Sequence, residues 1–248
     1  MKRRYFMCGT FYVDDETARE IEKAIRQADE QANFNTFTGV FPASGNHAQD
    51  IHAPGNHTPG IHTPSIHAQG SRPSAFFTGD IRPSDSATVI SSLHNCRMTA
   101  TSQKWGFPGF QTGKLIINAR AESALNKRMF RDSLLRRRLI IPASGFYEWN
   151  SAKEKVTFSP VKPTVSSSPI LFLAGFYNHF EDGDRFVILT TSANDSMKEV
   201  HDRMPLTLEP WELEDWLFNS QKTEDLLHKT PALLNQKQEY MQQSLRFL

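Results

Sequence analysis

Glu148 stands among aromatic residues in the segment SGFYEWN, residues 144–150. If this segment is a strand, its side chains alternate between two faces, so Phe146 shares a face with Glu148. Tyr147 and Trp149 then lie on the other face. A carboxylate held among aromatic rings loses water, which raises its pKa toward neutrality and suits it to general acid or base catalysis. The alternative is a surface carboxylate that ends a strand and pairs with an arginine.

His201 lies in a second candidate segment, EVHDRMP, residues 199–205. We expect a short helix over residues 194–200 to end at His201, with Asp202 and Arg203 following in a turn. A histidine beside an acid and a base can carry a proton near neutral pH. The alternative is a structural histidine, whose charged form the end of a helix favours.

Asn118 and Arg120 are two residues apart in the segment INARAES, so they share one face at the end of an apolar strand. The planar guanidinium of Arg120 suits a phosphate, and the amide of Asn118 suits a sugar or a base edge. Either side chain could instead cap the helix that follows.

Cys8 follows a second methionine in the opening segment MKRRYFMCGTF. If the mature chain begins after Met7, Cys8 carries a free amine and a free thiol on neighbouring carbons. If it begins at Met1, Cys8 is an internal residue whose nitrogen is an amide. The other cysteine, Cys96, is expected to be structural, because a single disulfide has little support in a chain with a sizeable core.

Other catalytic signatures are missing from the sequence. The glycine spacing of a nucleophile elbow is absent around Ser144, and the sequence has no CxxC pair, HExxH motif, phosphate-binding glycine loop or dinucleotide fingerprint. Cys8 is therefore the candidate nucleophile, and we expect neither a cofactor nor a metal at the site.

The charges of the chain are unevenly distributed. The net charge of the 248 residues is +1, but residues 97–138 hold ten Lys or Arg against two acids, and residues 209–225 are acidic. A basic stretch favours a polyanion, since each cation that neutralises a phosphate releases counterions. The alternative is that these charges solvate one helix face. With no apolar run long enough to span a bilayer and no export signal, we expect a cytoplasmic protein.

The pattern of apolar residues predicts an α+β fold. Residues 13–31 indicate an amphipathic helix capped by Asp14 or Asp15 and ending near Asn33. Further helices are predicted over residues 121–138, 194–200 and 210–218. Short β-rich runs occur at residues 88–93, 97–105, 114–119, 138–144, 146–149, 156–160, 170–177, 185–191 and 205–208. These strands do not alternate regularly with long helices, so we expect one domain, residues 1–248, around a twisted, barrel-like mixed β-sheet with flanking helices.

A five-residue repeat places His47, His52, His57, His62 and His67 in phase. Rich in Pro and Gly and poor in apolar residues, residues 38–75 are expected to be a disordered insertion in a loop. Weak binding of a transition metal by these histidines is the alternative to a repeat without function.

Five motifs stand in an order that resembles one family. They are Met7-Cys8-Gly9, WGFPGF, INAR, GFYEW and VHDRMP, and they extend from Met7 to Pro205 on either side of the His repeat. The chain resembles the SRAP family, the abasic-site processing proteins that are also called SOS response-associated peptidases.

The resemblance implies a reaction with damaged single-stranded DNA. Members of the family lose the initiator methionine, and the exposed cysteine captures the aldehyde of an abasic site as a thiazolidine, with peptidase and lyase activities implied beside it. Cys8 then corresponds to the crosslinking nucleophile, Glu148 to the catalytic glutamate and His201 to the active-site histidine. The DNA-contacting positions implied are Asn118, Arg120, Trp105 and Phe107, the last two by stacking on bases. The implied partner is single-stranded DNA with abasic sites, bound by a monomer that associates with the nucleoid.

Two positions depart from the family pattern, besides the opening extension of residues 1–7. Thr10 stands where the family has an arginine, so one phosphate contact is lost. Asp80 stands at a family asparagine near the abasic sugar, where a carboxylate repels phosphate, and Arg82 is the residue that compensates for it.

Two other classes of protein remain open from the sequence. One is an N-terminal-cysteine peptidase or amidohydrolase, acting on small amides or on its own leader, in which Glu148 and His201 move protons. The other is a non-catalytic single-stranded DNA binder, which the departures at Thr10 and Asp80 favour.

Overall fold

The computed structural model describes residues 9–38, 76–93, 97–161 and 170–238. Cys8, Cys96, the leader of residues 1–7 and the His repeat lie outside these ranges, and the expectations about them stay predictions. Within the described ranges no helix is long and apolar enough to cross a membrane.

Strands dominate the described residues. The strands are β1 (Thr10–Val13), β2 (Gly79–Ile81), β3 (Ser86–Leu93), β4 (Arg97–Trp105), β5 (Phe107–Pro108), β6 (Leu115–Ile116), β7 (Asn118–Arg120), β8 (Arg138–Ala143), β9 (Gly145–Trp149), β10 (Lys155–Pro160), β11 (Leu171–Phe180), β12 (Gly183–Ser192), β13 (Arg203–Pro205), β14 (Thr207–Leu208) and β15 (Leu234–Gln238). The α-helices are α1 (Asp15–Thr38), α2 (Ala121–Ala124), α3 (Arg128–Arg136), α4 (Leu213–Phe218) and α5 (Thr223–His228), with short 3-10 helices at Pro210–Glu212 and Ser220–Lys222.

The larger sheet closes on itself. In the described part of the chain its central strands run in the order β12, β4, β3, β8 and β11, and β11 pairs again with β12. The β12–β4 pairing is parallel and the others in the ring are antiparallel. The predicted α+β fold with a barrel-like mixed sheet is therefore confirmed.

A second sheet carries the start of the described chain. Its order among the described strands is β15, β10, β9, β1 and β2, all antiparallel. The inner face of this sheet, with Phe11, Phe146 and Phe158, packs into the same apolar cluster as Trp105 and Phe186 of the barrel. Strand β1 is thus held between two neighbours and against the core.

Three predicted helices differ from the structure. Helix α1 continues to Thr38, because the first glycine or proline after its start is Gly39. Residues 121–138 contain two helices instead of one, separated by a turn at Leu125 and Asn126 and by the extended Lys127. Residues 194–200 form consecutive turns, since the side chain of Asn194 accepts hydrogen bonds from the backbone and hydroxyl of Ser196 and competes with helix formation.

Other elements were predicted well or missed. The run at residues 97–105 has the bounds of β4, and Pro210 opens the 3-10 helix that leads into α4. Strands β1, β2 and β15 and helix α5 were not predicted, because they are short or lack strict alternation. Asp14 accepts a hydrogen bond from the backbone N–H of Thr17, which confirms it as the cap of α1.

Candidate active site

Glu148 is buried in the second sheet. Phe146 and Glu148 face inward along β9, whereas Tyr147 is half-buried and Trp149 is exposed. The predicted alternation is confirmed, and with 4% of its surface exposed Glu148 is not the surface carboxylate of the alternative. Carboxylates are seldom fully buried unless they are paired or functional, so the burial of Glu148 makes it a candidate site residue.

Strand β1 brings the start of the described chain to the strand that carries Glu148. Thr10 pairs with Tyr147 and Phe11 with Phe146. Continuing this register by one residue aligns Gly9 with Glu148. A methyl group built on Gly9 would have no neighbour within 4 Å, so the chain reaches open space at this point.

His201 is held by its own turn. The side chain is 15% exposed, and its Nδ1 accepts a hydrogen bond of 2.9 Å from the backbone N–H of Arg203. Nδ1 also lies 3.0 Å from Oδ1 of Asp202. In the neutral ring that accepts from Arg203, the proton is on Nε2 and can be donated.

Arg203 ties this turn to the helix that follows the INAR segment. Its guanidinium donates two hydrogen bonds, of 2.5 and 2.9 Å, to the carboxylate of Glu122, and another to the carbonyl of Thr190. Partial burial alone would raise the pKa of Glu122, but the hydrogen bonds and charge of Arg203 outweigh it and hold that pKa below its usual range. The sequence had placed Arg203 only in the turn and had given Glu122 no role.

Asn118 and Arg120 lie beside the same region of the barrel. Strand β7 runs parallel to β12, and Arg120 pairs with Thr190, the residue whose carbonyl binds Arg203. The Arg120 side chain is exposed and makes no capping hydrogen bond to α2 at its N-cap position. Its charge also acts on Glu122. The structure therefore brings Arg120 and the His201 turn together through Glu122 and Arg203.

The segments that carry Glu148 and His201 pack on one apolar core. Phe146, two residues before Glu148, belongs to the same apolar cluster as Met204, which follows the His201 turn. Val200 and Ala193 pack against that cluster, and Ile117, which precedes Asn118, is part of it. The side chains that flank the three candidate segments thus converge on a shared support.

The expected roles of Trp105 and Phe107 in stacking are wrong. Trp105 is 0% and Phe107 2% exposed, and the indole N–H of Trp105 donates to the carbonyl of Ile117 inside the core. Neither ring offers a face to a base, because both faces are covered by other apolar side chains.

The exposed aromatic of that motif is Phe110, which the sequence analysis missed. It sits between β5 and β6 in the turn PGFQTG and is 92% exposed. The hairpin below it is fixed, because Phe107 packs against Phe130 of α3. The signal available in the sequence was the pair of glycines around Phe110, which predicts a turn and so an outward side chain.

Asp80 and Arg82 lie on the far side of β1 from Glu148. Asp80 pairs with Tyr12 and is exposed, and the backbone N–H of Arg82 donates to the carboxylate of Asp85 in the following turn. No ion pair joins Asp80 to Arg82 within the residues that the structure describes. Thr10 is buried, with its hydroxyl donating to the carbonyl of Gly9, so it cannot stand in for an arginine.

The basic middle of the chain divides into structural and exposed charges. Arg138 is buried and donates to the last carbonyls of α3 and to the carbonyl of Trp216, while Arg136 and Arg137 bind Asp132. Lys127, Arg128 and Arg131 are exposed on or beside α3 and have no acidic partner among the described residues. Part of the basic excess is therefore available to a polyanion.

Taken together, fold and site define an α+β protein with a closed mixed barrel, a buried glutamate on the strand next to β1 and a histidine in the turn between β12 and β13. The chain belongs to the SOS response associated peptidase (SRAP) family, whose model matches residues 7–244.

Curated relatives carry names that refer to abasic sites. Abasic site processing protein YoaM of Bacillus subtilis is 37% identical over 120 residues, which cover 46% of this chain and 52% of that protein. YoqW of the same organism is 35% identical over 140 residues, 52% of this chain and 61% of that protein. YedK of Escherichia coli is 34% identical over 118 residues, 46% of this chain and 52% of that protein. The chain thus matches little more than half the length of these relatives.

Solved structures share the fold. A protein from Bordetella bronchiseptica superimposes with a TM-score of 0.56 at 25% identity, covering 68% of this chain and 90% of that one. A protein from Bacteroides thetaiotaomicron gives a TM-score of 0.52 at 22% identity, over 64% and 76% of the two chains.

The Arg203–Glu122 pair gives a pH-dependent prediction. Because the pKa of Glu122 is lowered in the folded state, its contribution to stability is present above its unfolded pKa of about 4.3 and is lost as the pH falls through the folded value. We expect Glu122→Gln to lower the free energy of unfolding by about 1 kcal/mol near neutral pH, since solvent screens this half-exposed carboxylate. Urea unfolding from about pH 6 to about pH 3 should show the difference from the wild type shrinking.

A matched control for this prediction is Asp195→Asn. Asp195 also pairs with a cation, Lys198, but its side chain is 84% exposed. We expect little change from this variant. Equal effects of the two variants, or a Glu122→Gln difference that does not vary with pH, would contradict the role given to the Arg203–Glu122 pair.

Proposed function

We propose that this chain, once Cys8 is its first residue, captures abasic sites in single-stranded DNA as a covalent thiazolidine. The observation that carries the proposal is the pairing of β1 with β9, which aligns Gly9 with the buried Glu148. Cys8 lies outside the described residues, but its Cα is about 3.8 Å from that of Gly9 across one peptide bond. The names of the curated relatives, abasic site processing proteins, support the same substrate.

The reaction follows from the two groups of an N-terminal cysteine. The Cys8 amine attacks the aldehyde carbon of the ring-opened sugar, and loss of one water gives an imine. The thiol then adds to the imine carbon and its proton passes to the nitrogen, which closes a five-membered ring. The thiol reaches the same carbon intramolecularly, which provides a large advantage in effective concentration. An internal cysteine cannot react in this way, since its nitrogen is an amide.

Glu148 and His201 are proposed to move the protons of these steps. Glu148 takes a proton from the amine as it attacks and returns one to the departing hydroxyl. His201, with Nε2 protonated, donates to the sugar as its ring opens. The burial of Glu148 and the hydrogen bond that fixes the His201 ring support these assignments.

The DNA is proposed to lie across the exposed cations and Phe110. Arg120 is exposed beside the His201 turn. Lys127, Arg128 and Arg131 are exposed on or beside α3, against which Phe107 of the Phe110 hairpin packs. Exposed cations with an exposed aromatic ring are the combination by which proteins bind single strands without reading sequence. Because Thr10 replaces the arginine of the family, these residues are proposed to make the contacts to the DNA backbone.

Removal of the leader and cleavage of the DNA are secondary parts of the proposal. Residues 1–7 have to be absent before Cys8 has a free amine, and self-processing by Cys8 with Glu148 is the peptidase activity that we propose for this member of the family. An imine between amine and sugar also permits elimination of the adjacent phosphate, the lyase reaction.

The crosslink gives the first test of this function. Protein that begins at Cys8, mixed with a single-stranded oligonucleotide containing an abasic site, should form a band that survives SDS and heat. We expect Cys8→Ala to abolish the band and Glu148→Gln to slow its formation by about 100-fold, the usual scale for losing a general acid or base. A time course on a denaturing gel measures both.

The matched control for Glu148 is Glu154→Gln, a glutamate on the turn after β9 that binds Asn150 and Gln238. It should crosslink at the wild-type rate. A wild-type protein that forms no band, or a band that persists in Cys8→Ala, would rule out capture by the N-terminal cysteine.

Phe110 gives a second prediction. Phe110→Ala should weaken binding of an undamaged single-stranded oligonucleotide by about tenfold, because stacking of one base contributes about 1–3 kcal/mol. A fluorescent base analogue in the oligonucleotide should lose the quenching that stacking causes. Fluorescence titration at fixed salt measures both quantities.

Trp211→Ala is the matched control for Phe110. Trp211 is 75% exposed but stands in the acidic stretch beside Glu209 and Glu212, where DNA is repelled. We expect no change in affinity from this variant. If the two variants weaken binding equally, or if neither does, the DNA does not contact the Phe110 hairpin.

A further inference from the structure

We infer that a hydrogen-bond cluster of Ser144, Thr17 and Asp14 sets the register of β1 against β9 and so places Gly9 opposite Glu148, with the proposed N-terminal residue, Cys8, directly before it. The inference rests on the proposed function and assigns positioning residues to it. Ser144 does not fit a nucleophile elbow and is not a nucleophile here, yet it is 5% exposed and lies directly before the strand that carries Glu148.

Ser144 links both chain segments through its backbone and its hydroxyl. Its N–H donates to the carbonyl of Tyr12 at 2.8 Å, and its Oγ accepts from the N–H of Asp14, also at 2.8 Å. The Ser144 hydroxyl in turn donates a hydrogen bond to Oγ1 of Thr17, again at 2.8 Å. One serine therefore fixes the end of β1, the first turn of α1 and the start of β9.

Asp14 closes the cluster from the helix side. Its carboxylate accepts from the backbone N–H of Thr17 at 2.8 Å. Partial burial alone would raise its pKa, but the hydrogen bonds from the backbone and side chain of Thr17 outweigh this and hold the pKa of Asp14 below its usual range. The carboxylate stays charged near neutral pH, so the cluster remains intact under the conditions of the reaction.

Gly145 makes the same register sterically specific. Tyr12 pairs with Gly145, and a Cβ on Gly145 would lie 2.8 Å from the Tyr12 ring and 2.3 Å from the carbonyl oxygen of Phe158. The Tyr12 ring can lie over this position only because it is a glycine. A slip of one residue would place a side chain under the ring and turn the buried Phe11 toward the other face.

The register needs this support because β1 is short. It has four residues and pairs over three positions with each neighbour. A slip of one residue moves the chain by about 3.3 Å along β9, and misplacement of reacting groups by about 1 Å can cost about 100-fold in rate. Groups that fix the register therefore act on the chemical step and not on DNA affinity.

The test compares Ser144→Ala with Ser133→Ala. Ser133 is 1% exposed and its hydroxyl also accepts a hydrogen bond, from Arg137, but it lies in α3 away from β1. At saturating abasic DNA, we expect Ser144→Ala to form the crosslink about tenfold more slowly than Ser133→Ala. Both variants should bind an oligonucleotide with a tetrahydrofuran abasic analogue, which has no aldehyde, with the affinity of the wild type.

Thr17 supplies a conservative pair. Thr17→Val removes the hydroxyl at nearly constant volume and should slow the crosslink, whereas Thr17→Ser keeps the hydroxyl and should restore the rate to within about twofold of the wild type. If Ser144 only stabilised the fold, Ser144→Ala and Ser133→Ala would both lower the free energy of unfolding. Neither variant would then slow the crosslink while leaving the affinity for DNA unchanged.

Amide hydrogen exchange separates this inference from the proposed function. We expect the amides of β1 to exchange faster in Ser144→Ala and unchanged in Ser133→Ala, whether or not a crosslink forms. If the wild type does not crosslink, the proposed function fails while exchange still reports on the register. Equal crosslink rates in the two serine variants, or unchanged exchange in Ser144→Ala, would overturn the inference.

Discussion

The proposed placement of an N-terminal Cys8 depends on the pairing of a four-residue strand, Thr10–Val13, between two neighbours. The ends of a chain are usually the least ordered part of a domain, which suits them poorly to chemistry that needs sub-ångström placement. Here the strand is inserted beside β9, and its Phe11 is fully buried in the core. Gly9 therefore directly precedes a strand that is fixed in a rigid sheet.

His201, the other candidate residue of the site, is held by a hydrogen bond and an ion pair and not by sheet pairing. Residues 194–200 form turns, so no helix fixes His201. Its orientation comes from the backbone of Arg203, and Arg203 is in turn fixed by the carboxylate of Glu122. Glu122 belongs to the helix after Arg120, so one ion pair couples the turn of His201 to the segment of Arg120. A pair that is only partly buried can do this without the large desolvation cost of a fully buried one.

The sequence predicted best those features that depend on local pattern. The alternation around Glu148 and the bounds of β4 follow from the two-residue period of a strand, and Asp14 follows from the chemistry of helix caps. Trp105 and Phe107 were assigned wrongly, because an aromatic residue fits a core and a binding surface equally well until its neighbours are known. Phe110 differs from them only in lying at a turn. The partnerships of Ser144 with Thr17 and of Arg203 with Glu122 join residues far apart in the chain, and a single sequence contains no local signal for them.

The central claim is that the nucleophile is the free amine and thiol of Cys8. The most direct measurement is the mass of the N-terminal peptide after the protein has reacted with an abasic oligonucleotide and the DNA has been digested. The peptide is predicted to begin at Cys8 and to carry the sugar remnant with the loss of one water, on Cys8 itself. A peptide that begins at Met1, or one that begins at Cys8 but is unmodified while the remnant is attached to a lysine, would contradict the claim.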